Sequence, residues 1–195
     1  MGLKLIAITG VAGSGKDIFS DRLVDAHGFI KLPFAAPLKD ACGPLFDWPV
    51  GMLHTNDFKQ FMDPRWGLHV REVYQRVGDA MKREFGEDFW VRNWTHRFGE
   101  VMSKFSVVVP DLRSETEAKV IRDLGGLVVH LHRIGAGLQG KLGEHNSEKG
   151  IEFHPKDVTA ANNDGIIHLW GMADTSVAFI HYNSKRLRYR NEVPE

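Results

Sequence analysis

The stretch LKLIAIT followed by GVAGSGKDIF, Leu3 to Phe19, decides how the rest of this chain is read. Leu3 to Thr9 is short, apolar, rich in β-formers and ends in a glycine loop, the pattern of a buried parallel strand. Lys16 to His27 places Phe19, Leu23 and Ala26 at helical spacing and stops at Gly28. Between strand and helix, Gly10, Gly15 and Lys16 satisfy G-x-x-x-x-G-K-[S/T], but Asp17 stands where the hydroxyl belongs. Glycines suit such a turn because backbone N–H groups must point into a concavity around an anion, which side chains would fill. A helix start behind the loop favours negative charge, and a lysine neutralises outer phosphates. Strand, loop and helix in this order turn the pattern into a nucleotide site. Gly10, Val11, Ala12, Gly13, Ser14, Gly15, Lys16, Asp17 and Ile18 are therefore expected to surround ATP.

Outward from this unit, Phe29 to Phe34 reads as a strand broken by Pro33, and Pro37 to Phe46 as a short helix. Trp48 to Gly67, with Pro49, Gly51, Pro64 and Gly67, reads as loop and short helical turns. His69 to Phe85 and Glu87 to Met102 carry helical patterns separated by Gly86. Lys104 to Val109 (KFSVVV) and Leu127 to Leu131 (LVVHL) read as strands flanking a helix over Glu115 to Leu124. Ile134 to Gly150 is glycine-rich and polar, Gly165 to Leu169 reads as a last strand, and a C-terminal helix follows from about Asp174. Alternating strands and helices predict an α/β fold: a nucleotide-binding parallel sheet flanked by helices.

Composition bounds the function. The 195 residues are 43% hydrophobic and 26% charged, ordinary for a globular chain. Twenty-five basic residues balance 25 acidic ones, which argues against a whole-protein design for nucleic acid or an anionic membrane. Cys42 stands alone, so no intrachain disulfide forms and a reducing compartment is expected. No secretory leader and no apolar run near 18 residues is evident, so the expected location is cytoplasmic, without a membrane partner.

Several further segments carry a resemblance. SGKD (Ser14 to Asp17), LPFAAPLK (Leu32 to Lys39), QRVGDAMKREFGEDFWV (Gln75 to Val91), VVVPDLRSETEA (Val107 to Ala118) and HNSE (His145 to Glu148) together resemble the phage-type deoxynucleoside monophosphate kinases, a branch of the P-loop kinases. The resemblance covers most of residues 3–150. Departures are Ile18 for a threonine, Asp79-Ala80 for Thr-Glu, and Pro110 for the first aspartate of a pair; the last two bear on base selectivity and metal geometry. The resemblance implies a P-loop NTPase-like kinase domain over residues 1–195, with a helical acceptor-binding insertion at about 34–103 and a mobile lid-like loop at about 134–150. It implies transfer of the γ-phosphate of ATP to a deoxynucleoside monophosphate with magnesium as cofactor, in the host cytoplasm if phage-encoded. A homodimer is left open.

Roles follow residue by residue. Lys16, Asp111 and Arg113 are the expected catalytic groups. Asp111 follows a buried strand at the carboxyl edge, where α/β ligands bind, and suits a magnesium partner; the alternative is a helix cap. Arg113 would reach the acceptor or the transferred phosphate, or else form a surface ion pair. Asp17 would act on magnesium through water; alternatively it only caps the helix, and Ser20 or water completes the metal shell. Arg133 opens the glycine-rich segment and is assigned to the ATP side, as lid or donor-base contact. Phe34, Lys39, Arg65, Gln75, Arg83 and Trp90, with Asp111 and Arg113, are assigned to the acceptor. Lys39 and Arg83 are favoured over Arg71 and Arg76, and Gln75 offers a paired donor and acceptor for a base edge. His145 and Glu148 are candidate loop contacts. His130 and His132 alternate onto one side of a strand as a two-histidine metal pair, but lack a third ligand. The five tryptophans read as core or pocket walls, and KRLRYR, Lys185 to Arg190, as a basic tail that is a solvated helix face or touches DNA or a partner. Two competing functions stay open: a small-molecule kinase of the phosphomevalonate kind, and a non-catalytic nucleotide-binding regulator.

Overall fold

The computed structural model describes residues 4–137 and 150–191, the last turns of the final helix as backbone only. Two compact units divide the chain: residues 1–33 with 97–195, and residues 34–96.

The first unit is built on a five-stranded, all-parallel sheet. Its strands are β1 (Leu5–Thr9), β2 (Ile30–Lys31), β5 (Val107–Val109), β6 (Leu127–His132) and β7 (Val158–Ala161), in the order β2-β5-β1-β6-β7. β1 lies at the centre, with Ala7 opposite Val109 on one side and Val128 on the other. All five of its residues are buried, which explains an apolar run without alternation. Ile6 and Ile8 pack with Phe19 and Leu23 of α1 (Lys16–His27) and with Leu169 and Ala173 of the C-terminal helix, residues 166–191. On the other face Leu5 approaches Ile121 of the helix Glu115–Asp123. Each fully buried aliphatic or aromatic side chain contributes roughly 1.5–3 kcal/mol of transfer free energy, so this double cover fixes β1 and whatever follows it.

The second unit holds α2 (Ala36–Phe46), a 3₁₀ turn (Val50–Met52), α3 (Asn56–Gln60), the hairpin β3 (Met62–Asp63) with β4 (Leu68–His69), α4 (Val70–Phe85) and most of α5 (Phe89–Val101). Its core joins Cys42, Trp48, Leu53, Phe58, Val70, Val73 and Tyr74. The helix Glu115–Asp123 is α6 and the helix Ile166–Asn191 is α7.

Two sequence expectations change. Gly165 to Leu169 is not a strand: Gly165 has φ +89°, and its carbonyl accepts the Leu169 N–H at 3.2 Å as α7 begins. The last strand is β7 instead, and α7 starts at Ile166 rather than near Asp174. Trp48 to Gly67 also contains β3 besides its short helical turns. Of the expected lid-like loop, only residues 134–137 and 150 are described; residues 138–149, with His145 and Glu148, lie outside the described residues. Among the described residues no helix is long and apolar enough to cross a membrane.

Candidate nucleotide site

The glycine loop leaves the carboxyl end of the central strand, between β5 and β6, which is the crevice position of an open α/β sheet. Gly10 has φ +148°, and a Cβ there would run into the Leu131 carbonyl. Gly15, at φ +105°, is the N-cap of α1, and a Cβ on it would meet the Asn162 amide. Only glycine fits both positions. Lys16 opens α1 and turns its ammonium back over the loop, donating to the carbonyls of Gly10 at 2.7 Å and Val11 at 2.8 Å. The Ser14 side chain is fully buried.

Arg133, just past β6, donates to the Gly13 carbonyl at 3.3 Å, and the Gly137 N–H donates to Ala12 at 3.0 Å. Ala12, Gly13, Arg133 and residues 134–137 line an open depression of about 310 Å³ beside the loop. Arg133, expected on the ATP side, stands beside the loop at Gly13.

Asp111 and Arg113 follow β5. The Leu112 N–H donates to the Ile8 carbonyl at 3.2 Å, tying this segment to β1 one residue before Thr9. Ser114 caps α6: its hydroxyl accepts from the Glu117 N–H, while the Glu117 carboxylate accepts from the N–H groups of Ser114 at 3.1 Å and Arg113 at 2.8 Å. The cap of α6 is therefore Ser114, not Asp111, and the reciprocal box fixes the backbone that carries Arg113. Asp17 is likewise not the cap of α1; it occupies the first turn behind Gly15, exposed at the positive end of the helix dipole. The buried Ser20 hydroxyl donates to the Asp17 carbonyl at 2.9 Å.

Of the expected acceptor residues, Phe34, Lys39, Arg65, Gln75, Arg83 and Trp90 lie in the second unit. Phe34 is buried and stacked on Trp94 at 4.9 Å between centroids, so its ring belongs to the core rather than to a substrate wall. Arg65 forks onto the buried Asp63 (2.7 and 3.0 Å) and donates to the Phe46 carbonyl at 2.7 Å. This guanidinium, with the Trp48 indole N–H at 2.7 Å, holds the Asp63 carboxyl well below the usual carboxylate range. Arg65 is thus engaged by local partners, Asp63 and the Phe46 carbonyl. Arg83 is exposed and paired with its neighbour Glu84 at 2.9 Å. Lys39 lies on α2, which packs against α4, the helix that carries Gln75. Gly78 of α4 faces Leu38 of α2, its carbonyl accepts the Trp90 indole N–H at 3.1 Å, and Gln75 lies one turn earlier on the same helix face.

The histidine pair is resolved differently. His130 is buried and bonded to Asp157 at 2.9 Å, whereas His132 is exposed at the strand end, and no metal-holding group of three occurs among the described residues. Asp157 also takes the Arg122 fork at 2.6 and 3.1 Å and the His154 N–H at 3.0 Å. Burial pushes its carboxyl up, but these donors together outweigh burial and hold it below the usual range.

Sequence reasoning missed Asn162 and Asn163, which follow β7. Asn162 donates its amide to the Ser14 carbonyl at 2.9 Å, and the Asn163 side-chain oxygen accepts the Ile134 N–H at 3.0 Å. The doublet Asn-Asn before Asp-Gly was a readable turn signal, but without β7 it had no place in the fold.

A parallel sheet with a glycine loop and a lysine-headed helix at its central strand defines a P-loop NTPase-like kinase fold. A gluconokinase from Sinorhizobium meliloti shares that fold, with a TM-score of 0.51 at 17% identity over 96% of this chain and 97% of the other. Residues 50–171 match the family model for deoxynucleotide monophosphate kinase. A protein of Acanthamoeba polyphaga mimivirus, itself provisionally assigned as a deoxynucleotide monophosphate kinase, is 35% identical over 175 residues, covering 83% of this chain and 90% of its own length. The chain belongs to the deoxynucleotide monophosphate kinase family.

Proposed function

We propose that this chain transfers the γ-phosphoryl group of ATP to the phosphate of a deoxynucleoside monophosphate, giving ADP and a deoxynucleoside diphosphate. The observation that carries the reading is the loop itself: glycine backbone that only glycine can adopt, at the end of the central strand, headed by Lys16. Family membership supplies the acceptor class.

Transfer of this kind needs alignment and charge neutralisation more than covalent help. An acceptor phosphate oxygen attacks the γ-phosphorus, the bond to the β–γ bridging oxygen breaks, and ADP leaves with that electron pair. The acceptor is already anionic near neutral pH, so no general base is required. Lys16 leaves its loop carbonyls to neutralise the outer phosphates of ATP. Arg113, on the backbone fixed by the Ser114–Glu117 box, meets charge on the transferred group or the acceptor. Arg133 holds the donor side from beside Gly13. Lys39 and Gln75 meet the acceptor, with Trp90 supporting that junction.

Magnesium fits the donor set. Two carboxylates, Asp17 and Asp111, follow the neighbouring strands β1 and β5, and no metal-holding group of three occurs among the described residues, as suits an ion that keeps its waters and leans on substrate phosphates. When bound it would supply charge neutralisation at the phosphates, with Asp17 and Asp111 holding its waters.

The test is ADP release measured with ATP and a panel of deoxynucleoside, ribonucleoside and non-nucleotide phosphates. Release that depends on a deoxynucleoside monophosphate supports the reading. Release driven only by a non-nucleotide phosphate would replace it with a small-molecule kinase, and no release with any acceptor would leave a binding protein.

A further inference from the structure

Every carbonyl from Gly10 to Gly15 has a donor. Lys16 takes Gly10 and Val11, the Gly137 N–H takes Ala12, Arg133 takes Gly13, the Asn162 amide takes Ser14, and the Phe19 N–H takes Gly15. Most of these donors are near in sequence or belong to the segment that follows β6. Asn162 differs, reaching from the far side of β7 across 148 positions. Its own N–H donates to the His132 carbonyl at 2.7 Å, so the residue is fixed to the end of the β6–β7 ladder. Its amide occupies the space that a Gly15 side chain would need. In a planar trans peptide, the carbonyl of one residue and the N–H of the next point to opposite sides. Holding the Ser14 carbonyl toward Asn162 therefore turns the Gly15 N–H away from Asn162.

We infer that Asn162 is a positioning residue for phosphate binding: its carboxamide locks the Ser14–Gly15 peptide so that the Gly15 N–H is presented to the ATP phosphates. The inference rests on the nucleotide-kinase reading and deepens it. Asn162 touches no reacting atom. Losing one such bond frees the peptide to rotate, and the binding lost should be the net value of a hydrogen bond, about tenfold. The loss should fall on the donor nucleotide and spare the acceptor.

The experiment compares wild type with Asn162→Leu, which keeps volume and removes the donor, and with Asn162→Ala, which is tolerated at this half-buried position if the leucine variant does not fold. Inorganic tripolyphosphate binding is measured by calorimetry, and KM is measured separately for ATP and for the deoxynucleoside monophosphate. The expected result is about tenfold weaker tripolyphosphate binding and an ATP KM raised by a similar factor, with the acceptor KM within about twofold of wild type. Unchanged tripolyphosphate binding in a folded variant overturns the inference. So does an equal rise in both KM values, which marks general loosening rather than positioning. Failure of the wild type itself to bind tripolyphosphate or ATP would instead overturn the nucleotide-kinase reading on which the inference rests.

Discussion

Replacing Asp157 by asparagine keeps the shape of the most connected buried carboxylate in the first unit and removes its charge. Asp157 is 1% exposed and accepts four hydrogen bonds, two from Arg122, one from His130 and one from the His154 N–H. An asparagine offers one accepting oxygen and presents an NH₂ where a donor now points. Arg122, itself 16% exposed, keeps only a 3.4 Å contact to Glu115 and the Glu152 carbonyl. Removing one partner of a buried ion pair costs about 3–5 kcal/mol. The remaining asparagine oxygen and the Glu115 contact offset part of this, leaving about 2–4 kcal/mol. For a chain of this length about 1 kcal/mol moves Tm by roughly 2–4 °C, so Asp157→Asn should melt about 5–15 °C lower by circular dichroism. The sign with pH follows from the depressed pKa. The stabilisation is complete above the unfolded carboxylate value near ~3.9 and is lost as pH falls through the lower folded value, so the difference between variant and wild type should be flat from pH 5 to 8 and shrink in acid. Asp123→Asn, which breaks only the exposed pair with Lys119, is the control and should stay within about 0.5 kcal/mol. A Tm change for Asp157→Asn no larger than for Asp123→Asn would refute the reasoning.

Lys16→Ala should cut phosphoryl transfer by orders of magnitude while the circular dichroism melt stays close to wild type; near-normal turnover in the folded variant would remove Lys16 from the chemistry. Asp17→Ala should shift the magnesium titration of turnover to higher concentration more than it alters nucleotide binding measured without metal. An unchanged titration would limit Asp17 to its interaction with the helix dipole. Burial raises the Cys42 thiol to about 11, so at pH 8 it should react with a maleimide far more slowly in the folded protein than in urea; equal rates would contradict its burial.

The parts legible in sequence are those where local pattern and tertiary environment agree. β1 is buried on both faces and reads as an unbroken apolar run, and the glycine loop is dictated by backbone conformations that few other residues adopt. The helices α1, α2, α4, α5 and α6 begin and end within two residues of their expected bounds for the same reason. β7 was missed because it lies at the sheet edge and only Ala160 is fully buried, so Val158 to Ala161 lacks a strong periodic signal. Gly165 to Leu169 carries the stronger apolar run and reads as the strand. A short apolar run does not distinguish buried helix from strand. That exchange also hid Asn162, whose partner is 148 positions away. Arg65 and Phe34 show the opposite limit: their residue types suit a phosphate and a base, and only the tertiary neighbours Phe46, Trp48 and Trp94, with Asp63 close in sequence, reveal that both are already engaged.

The central claim, phosphoryl transfer from ATP to a deoxynucleoside monophosphate, is tested most directly by following the label. The protein is incubated with magnesium, ATP labelled at the γ-phosphate and each deoxynucleoside monophosphate in turn, and the products are separated. The account predicts label at the β-position of a deoxynucleoside diphosphate, formed in equal amount with ADP and absent with Lys16→Ala. Label appearing only as inorganic phosphate, or remaining in ATP with every acceptor, would contradict it.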